Sequence, residues 1–109
     1  MLRLNVNNET SRLKAVVLGI GDSLGSVPTA NECYDPKSRF HVLNGTYPME
    51  IDIISQLDFF NKIFFKYDIK VFRPSILKNV NQIFSRDIGF VIENKFFISN
   101  TIKERSKEI

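Results

Sequence analysis

One thiol, one imidazole and one Arg–Asp dipeptide are the groups of this sequence that could do chemistry. Cys33 and His41 are the only residues of their types. A thiolate activated by a histidine can act as a nucleophile, but the histidine then needs a third group that orients it. Nothing in the sequence supplies that group, so we expect Cys33 and His41 to be structural or incidental. We also expect no metal site, because no clustered set of ligands is present.

The dipeptide Arg86-Asp87 stands between the apolar residues Phe84 and Ile88. A carboxylate in a partly desolvated cleft suits a planar cation, because guanidinium presents a fork of donors that both carboxylate oxygens can accept. The alternative is an ordinary ion pair on the surface, and the spacing of the residues by itself favours that alternative.

A third candidate is Gly19-x-Gly21, which follows an apolar run as a dinucleotide-binding fingerprint would. That fingerprint needs a third glycine at position 24 and a helix that begins there. Position 24 is Leu24, and Gly25 is followed by Pro28 and a polar stretch. We therefore expect no cofactor, and we expect the glycines to let the backbone turn tightly.

The elements that position these groups follow from the apolar pattern. Residues 13–20 are a nearly continuous apolar run, which predicts a strand buried on both faces. Residues 21–47 are polar and contain Gly and Pro, so they predict a long irregular loop. Residues 48–67 repeat apolar side chains at spacings of three and four, which predicts the main amphipathic helix.

The second half of the chain predicts shorter elements. Residues 69–72 indicate a strand that Pro74 ends, and residues 86–99 indicate a β-hairpin around a polar turn. Residues 101–109 indicate the start of a helix capped by Asn100 or Thr101, which runs out before a closing cap as in a truncated chain. The predicted fold class is α/β, in one segment that covers residues 1–109.

Composition limits the function classes. The 109 residues allow one small domain at most. The composition is ordinary for a globular protein, since 43% of the residues are apolar and 25% are charged. The formal charge of +3 is spread among acidic residues, which favours a solvated surface over nucleic-acid binding. No apolar run approaches the ~18 residues of a membrane span. With a single cysteine and no secretory signal, we expect a cytoplasmic protein.

The stretch from Asn81 to Ile92 resembles the hairpin motif of amidinotransferases and arginine deiminases. That motif is an aromatic or apolar residue, a small residue, Arg-Asp and an apolar strand, as in Phe84-Ser85-Arg86-Asp87. In those enzymes a second strand and then Arg-x-x-Glu follow, and residues 95–100 and Arg105-Ser106-Lys107-Glu108 are similar to them. Residues 9–19 and 48–74 are similar to the opening strand, the first long helix and the strand after it.

The resemblance implies the pentein fold, a propeller of five ββαβ modules, of which this chain would supply the first module and part of the second. It implies an enzyme that transfers or hydrolyses the amidino group of arginine or a related guanidino compound through a covalent cysteine intermediate. Asp87 matches the carboxylate that contacts the guanidino group or supports the site, with Arg86 beside it as a second substrate-binding candidate. Arg105 and Glu108 match a structural pair.

Cys33 and His41 match neither the nucleophile nor the base of that family, so we expect no catalytic residue and no activity in this chain alone. The expected partners are a guanidino small molecule and either a second copy or the remainder of a larger domain. The alternative function is a small stand-alone α/β module for binding or assembly. Its surface would come from apolar residues outside the main stripe of the helix and on the hairpin: Phe59, Ile63, Phe65, Phe96 and Phe97.

Overall fold

The computed structural model describes residues 2–109 and confirms the α/β class. Within this range the strands are β1 (Ala15–Val17), β2 (Lys70–Phe72), β3 (Gly89–Ile92) and β4 (Lys95–Ile98), and the α-helices are α1 (Pro36–Leu43) and α2 (Glu50–Lys66). Short 3-10 helices occupy Ala30–Glu32, Ser85–Asp87 and Lys103–Glu108. We call Lys103–Glu108 the final 3-10 helix.

Helix α2 confirms the main helix predicted for residues 48–67. Glu50 and Asp52 lie in its first turn and Lys66 in its last, which suits the helix dipole. Ile53 points inward and is 8% exposed. After the helix, Asp68 has a φ of 56°, and this left-handed residue turns the chain into β2.

Strands β1 and β2 pair in parallel, and α1 and α2 lie in the connection between them. The apolar run of residues 13–20 forms a strand only over Ala15–Val17, and the predicted burial on both faces is wrong. Val17 is 51% exposed, whereas Leu18 and Ile20, which follow the strand, are buried. Among the described residues β1 has one neighbouring strand, β2, so it lacks the second neighbour of a central strand.

The stretch 21–47 differs from the irregular loop that its composition predicted, because it contains α1. Asp35 caps this helix by accepting a hydrogen bond from the Ser38 backbone N–H at 2.8 Å, and Pro36 occupies the first turn. Hydrogen bonding by Ser38 also lowers the pKa of Asp35 below its ordinary value. The helix is followed by Gly45, whose φ of 67° favours glycine.

Strands β3 and β4 confirm the hairpin predicted within residues 86–99. They pair antiparallel, and the stacked rings of Phe90 and Phe97 lie 5.3 Å apart between centroids. The tight turn between the strands contains Glu93 with a φ of 53°. Arg86 and Asp87, at the head of the predicted hairpin, lie on the 3-10 turn Ser85–Asp87.

The chain after the hairpin differs from the α-helix predicted for residues 101–109. It forms the final 3-10 helix, which begins after Ile102, and no side chain caps its start. The expected caps Asn100 and Thr101 lie before this point. The pentein arrangement of ββαβ modules stays a prediction, because the described strands form two separate pairs.

The core is small for a chain of this length. Its buried apolar side chains are Leu18, Ile20, Ile53 and Val80. The accessible surface is 8927 Å², whereas a compact protein of 12.6 kDa exposes about 6,200 Å². The radius of gyration is 15.7 Å, against about 13 Å for a compact domain of this length. Much apolar surface therefore stays outside the core. No helix within residues 2–109 is both long and apolar enough to cross a membrane.

Candidate functional site

Asp87 lies on the 3-10 turn Ser85–Asp87, which is anchored to β1. The hydroxyl of Ser85 donates a hydrogen bond to the Val17 carbonyl at 2.7 Å. Just before the turn, the Ile20 backbone N–H donates to the Gln82 carbonyl at 3.0 Å. Because Val17 is the last residue of β1, the turn is fixed at the carboxyl end of the parallel pair. Ligands commonly bind at this end of α/β sheets.

A buried glutamine holds the segment that leads to this turn. Gln82 is 8% exposed, and its side-chain amide accepts from the Leu77 backbone N–H at 2.9 Å and donates to the Ser75 carbonyl at 2.8 Å. Both ends of the amide are therefore satisfied inside the protein, which favours a single conformation for residues 75–82. Sequence reasoning did not identify Gln82, because its partners are backbone groups.

Gly19 lies against this same segment. A Cβ atom on Gly19 would collide with the carbonyl oxygens of Gln82 and Ile83, so the absence of a side chain permits close packing of two backbone segments. The role expected from the sequence was a tight turn, and among the first three glycines only Gly25 has a positive φ, of 80°. At Gly19 the requirement is space and not backbone conformation.

Arg105 brings Asp87 and Glu108 together. Its Nη1 donates to Asp87 Oδ2 at 3.0 Å, and its Nε and Nη2 donate to Glu108 Oε2 at 3.0 and 2.6 Å. The side chain of Glu108 is 5% exposed, that of Arg105 20% and that of Asp87 40%. Two carboxylates therefore share one guanidinium, in a cluster that is buried at Glu108 and open at Asp87. We call these three residues the Asp87 cluster.

Hydrogen bonds favour the charged form of the Arg105 guanidinium in the Asp87 cluster. The bonds to Glu108 raise the pKa of Arg105 above its ordinary value, and those to Asp87 add to this effect while burial opposes it. The guanidinium is therefore charged wherever the protein is folded. With two carboxylates and one guanidinium, the ionised cluster carries one negative charge in excess. Oδ1 of Asp87 accepts no hydrogen bond from any residue in the range 2–109, so it is available to a ligand.

Two clefts meet at Glu108. The larger has a volume of about 550 Å³. Tyr34 and Tyr47 line one side of it, and the final 3-10 helix lines another. The smaller has a volume of about 30 Å³ and is mainly apolar. It is lined, besides Glu108, by Val17, Pro74, Gln82, Phe84, Ser85 and Ile88. Asp87 lines neither cleft, but its neighbours Ser85 and Ile88 line the smaller one. The ion pair that the spacing favoured is present, with Arg105 as the partner of Asp87.

The larger cleft predicts a pH dependence. Burial raises the pKa of Tyr34 and of Tyr47 above the ordinary value of 10.0. The folded state therefore favours the protonated phenols, and their contribution to stability is complete below pH 10.0 and is lost as the pH rises above it. In an absorbance titration of tyrosinate, Tyr34→Phe and Tyr47→Phe should each remove one late-ionising phenol. If every tyrosine of the folded chain ionised at the same pH as in the urea-unfolded chain, this prediction would be wrong.

The other sequence candidates do not join the Asp87 cluster. The Cys33 thiol lies 3.5 Å from the Thr29 carbonyl oxygen, and His41 Nδ1 lies 2.8 Å from Thr46 Oγ1, so thiol and imidazole have separate partners. Arg86 is exposed and forms no ion pair with any residue that the structure describes. Its part in substrate binding stays a prediction. In the described range, no three His, Cys, Asp or Glu side chains are grouped to hold a metal ion.

No family model, curated protein or solved structure matches this chain. The interpretation of the site therefore depends on the motif residues and on their geometry. The structure brings three of the four motif residues together, namely Asp87, Arg105 and Glu108, and leaves Arg86 outside.

Proposed function

We propose that this chain carries the guanidinium-binding part of an enzyme that transfers or hydrolyses the amidino group of arginine or a related guanidino compound. One observation carries the proposal. The carboxylate of Asp87, at the carboxyl end of β1, already binds a guanidinium, that of Arg105, at 3.0 Å. A carboxylate that is held in place to accept one planar cation is suited to accept another.

The exposure of the Asp87 cluster supports a site that a ligand can enter. Oδ2 of Asp87 is engaged by Arg105, while Oδ1 is open on a side chain that is 40% exposed. A guanidino ligand binds Oδ1 or takes the place of Arg105 at Asp87. In the second case Arg105 keeps its bonds to the buried Glu108, so no charge is left without a partner. Asp87 can thus exchange one guanidinium for another at low cost.

The covalent step of this reaction is assigned to residues other than Cys33 and His41. A cysteine thiolate attacks the guanidinium carbon, and a nearby base must accept and return protons. Cys33 and His41 make separate contacts, with Thr29 and Thr46, and neither lies in the Asp87 cluster. In our proposal this chain binds and orients the guanidinium and does not break its bonds.

The test is an NMR titration of the chain with methylguanidine, and with methylammonium as a cation that lacks the fork of donors. Methylguanidine should shift the amide signals of Asp87 and Ile88. Asp87→Asn should weaken its binding by about tenfold or more, because a charged hydrogen-bond acceptor is lost. Asp58→Asn is the matched control, since Asp58 also faces an arginine, Arg73, at 3.9 Å.

Two results would contradict the proposal. Binding that is equal for both cations, or that is unchanged by Asp87→Asn, would show that Asp87 is not a guanidinium site.

With arginine as substrate, the chain should form neither citrulline nor ornithine. Product formation that Cys33→Ser abolishes would mean that the covalent step was assigned to the wrong residues.

A second candidate function is a stand-alone module for binding or assembly without catalysis. The observation in its favour is the accessible surface of 8927 Å², which exceeds the value for a compact protein of this mass by about 2,700 Å². Much of this surface is apolar, as on Phe59 and Phe65, which are 66% and 84% exposed. This candidate predicts no preference for methylguanidine over methylammonium, so the same titration separates the two functions.

A further inference from the structure

The outer edge of β4 is open. The Ser99 backbone N–H donates to the Ile88 carbonyl at 3.0 Å, so these two residues form a hydrogen-bonded pair at the end of the hairpin. Such pairs alternate along antiparallel strands with pairs whose backbone groups point outward. Given the register of the hairpin, the backbone groups of Phe96 and Ile98 point away from β3. Within residues 2–109 these groups make no backbone hydrogen bond outside the hairpin.

The opposite edge of the hairpin is partly covered. Val6 and Glu93 exchange two backbone hydrogen bonds, of 2.9 and 2.6 Å, so the amino-terminal segment holds the end of β3. A two-stranded hairpin with one open edge is marginal by itself, and a third strand stabilises it. The site at which such a strand can be added is therefore the outer edge of β4.

The side chains of β4 make its edge attractive to another strand. All four residues are exposed, including Phe96 at 52%, Phe97 at 42% and Ile98 at 66%. Proteins usually protect an edge strand with charges, proline or a bulge. The single charge in β4 is that of Lys95 at its beginning, so the apolar part of the edge has none of these protections.

The charge pattern of β4 favours a second copy in one orientation. In a parallel arrangement in register, Lys95 would lie beside Lys95 of the second copy, and the like charges would repel each other. In an antiparallel arrangement centred on Phe97, Lys95 lies opposite Ser99 of the second copy. Phe97 then lies opposite its own equivalent, so each copy presents the same surface to the other.

We propose that two copies of this chain form a symmetric dimer by antiparallel pairing of β4 with β4 of the second copy. Phe96 of each copy exchanges backbone hydrogen bonds with Ile98 of the other, and the two hairpins become one four-stranded sheet. The excess surface of about 2,700 Å² is ample for the ~800 Å² per partner that a stable interface buries. This proposal does not depend on the guanidino function.

Disulfide trapping tests the register. In a Cys33→Ser background, Phe97→Cys places two thiols opposite each other at a pair that is not hydrogen-bonded, where side chains are closest. Mild oxidation should cross-link this variant at least about tenfold faster than Phe59→Cys, a matched control on α2. Phe59 is 66% exposed and lies outside the proposed interface. Equal rates for the two variants would overturn the proposed pairing.

Proline scanning tests the hydrogen bonds independently. Ile98→Pro removes an outward N–H that the hairpin does not use, whereas Ile98→Ala shortens the same side chain and keeps the N–H. In sedimentation equilibrium, Ile98→Pro should raise the dimer dissociation constant by on the order of tenfold or more over that of Ile98→Ala. A wild-type chain that is monomeric across the concentration series would overturn the proposal. Equal dimer dissociation constants for Ile98→Pro and Ile98→Ala would also overturn it. If Ile98→Pro does not fold, the disulfide result decides.

Discussion

Gly19→Ala is expected to lower the free energy of unfolding by about 3 kcal/mol, at the upper end of the range for overpacking. The added Cβ would collide with the carbonyl oxygens of Gln82 and Ile83, which are backbone atoms and cannot rotate away as a side chain would. The Gln82 carbonyl also accepts the Ile20 N–H at 3.0 Å, so relief of the collision breaks this contact. The expected consequence is that residues 82–87 separate from the end of β1.

Gly45→Ala is the matched control for Gly19→Ala. Gly45 has a φ of 67°, and no heavy atom lies within 4 Å of an added Cβ, so the only expected cost is that of the left-handed conformation. That cost is about 1 kcal/mol. Urea unfolding of both variants, followed by circular dichroism, gives the comparison. An equal loss of stability would mean that the segment at Gln82 is not packed against Gly19.

The second large effect is expected at Arg105. Arg105→Ala leaves the carboxylate of Glu108, whose side chain is 5% exposed, without its counter-charge. A buried charge without a partner costs about 3–5 kcal/mol. The final 3-10 helix contains no apolar residue, so hydrophobic burial cannot offset that cost. We therefore expect this helix to detach and expose Glu108 to water while the rest of the chain stays folded.

Limited trypsin digestion measures this detachment, because Lys103 and Lys107 lie in the final 3-10 helix. The rate of cleavage at these two residues should rise by on the order of tenfold or more in Arg105→Ala. Arg86→Ala is the control, since it removes the same charge from an exposed arginine that lies outside the Asp87 cluster. The double variant Arg105→Leu, Glu108→Leu should restore much of the resistance, because no buried charge remains. Equal cleavage in all variants would mean that the cluster does not hold the helix.

Local patterns in the sequence determined the elements whose residues contact one another over short distances. The three-and-four spacing of residues 48–67 predicted α2, and the apolar runs around residues 93–94 predicted the hairpin of β3 and β4. Both are confirmed because their hydrogen bonds join residues that are near in sequence. Helix α1 has a local signal too, the cap Asp35 followed by Pro36, but the polar, glycine-containing stretch around it indicated a loop.

Contacts between distant residues were decided by the tertiary structure alone. The apolar run at β1 does not show how many strands will flank it, so its predicted burial on both faces was wrong at Val17. The sequence also did not show that Gly19 would face the backbone of Gln82, 63 positions later. Backbone packing of this kind depends on the path of the whole chain, to which a glycine in the sequence gives no guide.

The Asp87 cluster combines both kinds of information. The sequence determined which residue types were available, because Arg86-Asp87 and Arg105-x-x-Glu108 stand in an order that resembles the proposed guanidino-binding motif. It did not determine that Arg105, 18 positions away, would bind Asp87, or that Arg86 beside it would not. The physical reason is that a contact depends on the direction in which each side chain leaves the backbone. The 3-10 turn fixed by Ser85 to the end of β1 sets where each side chain points, and that anchor lies 68 positions back along the chain.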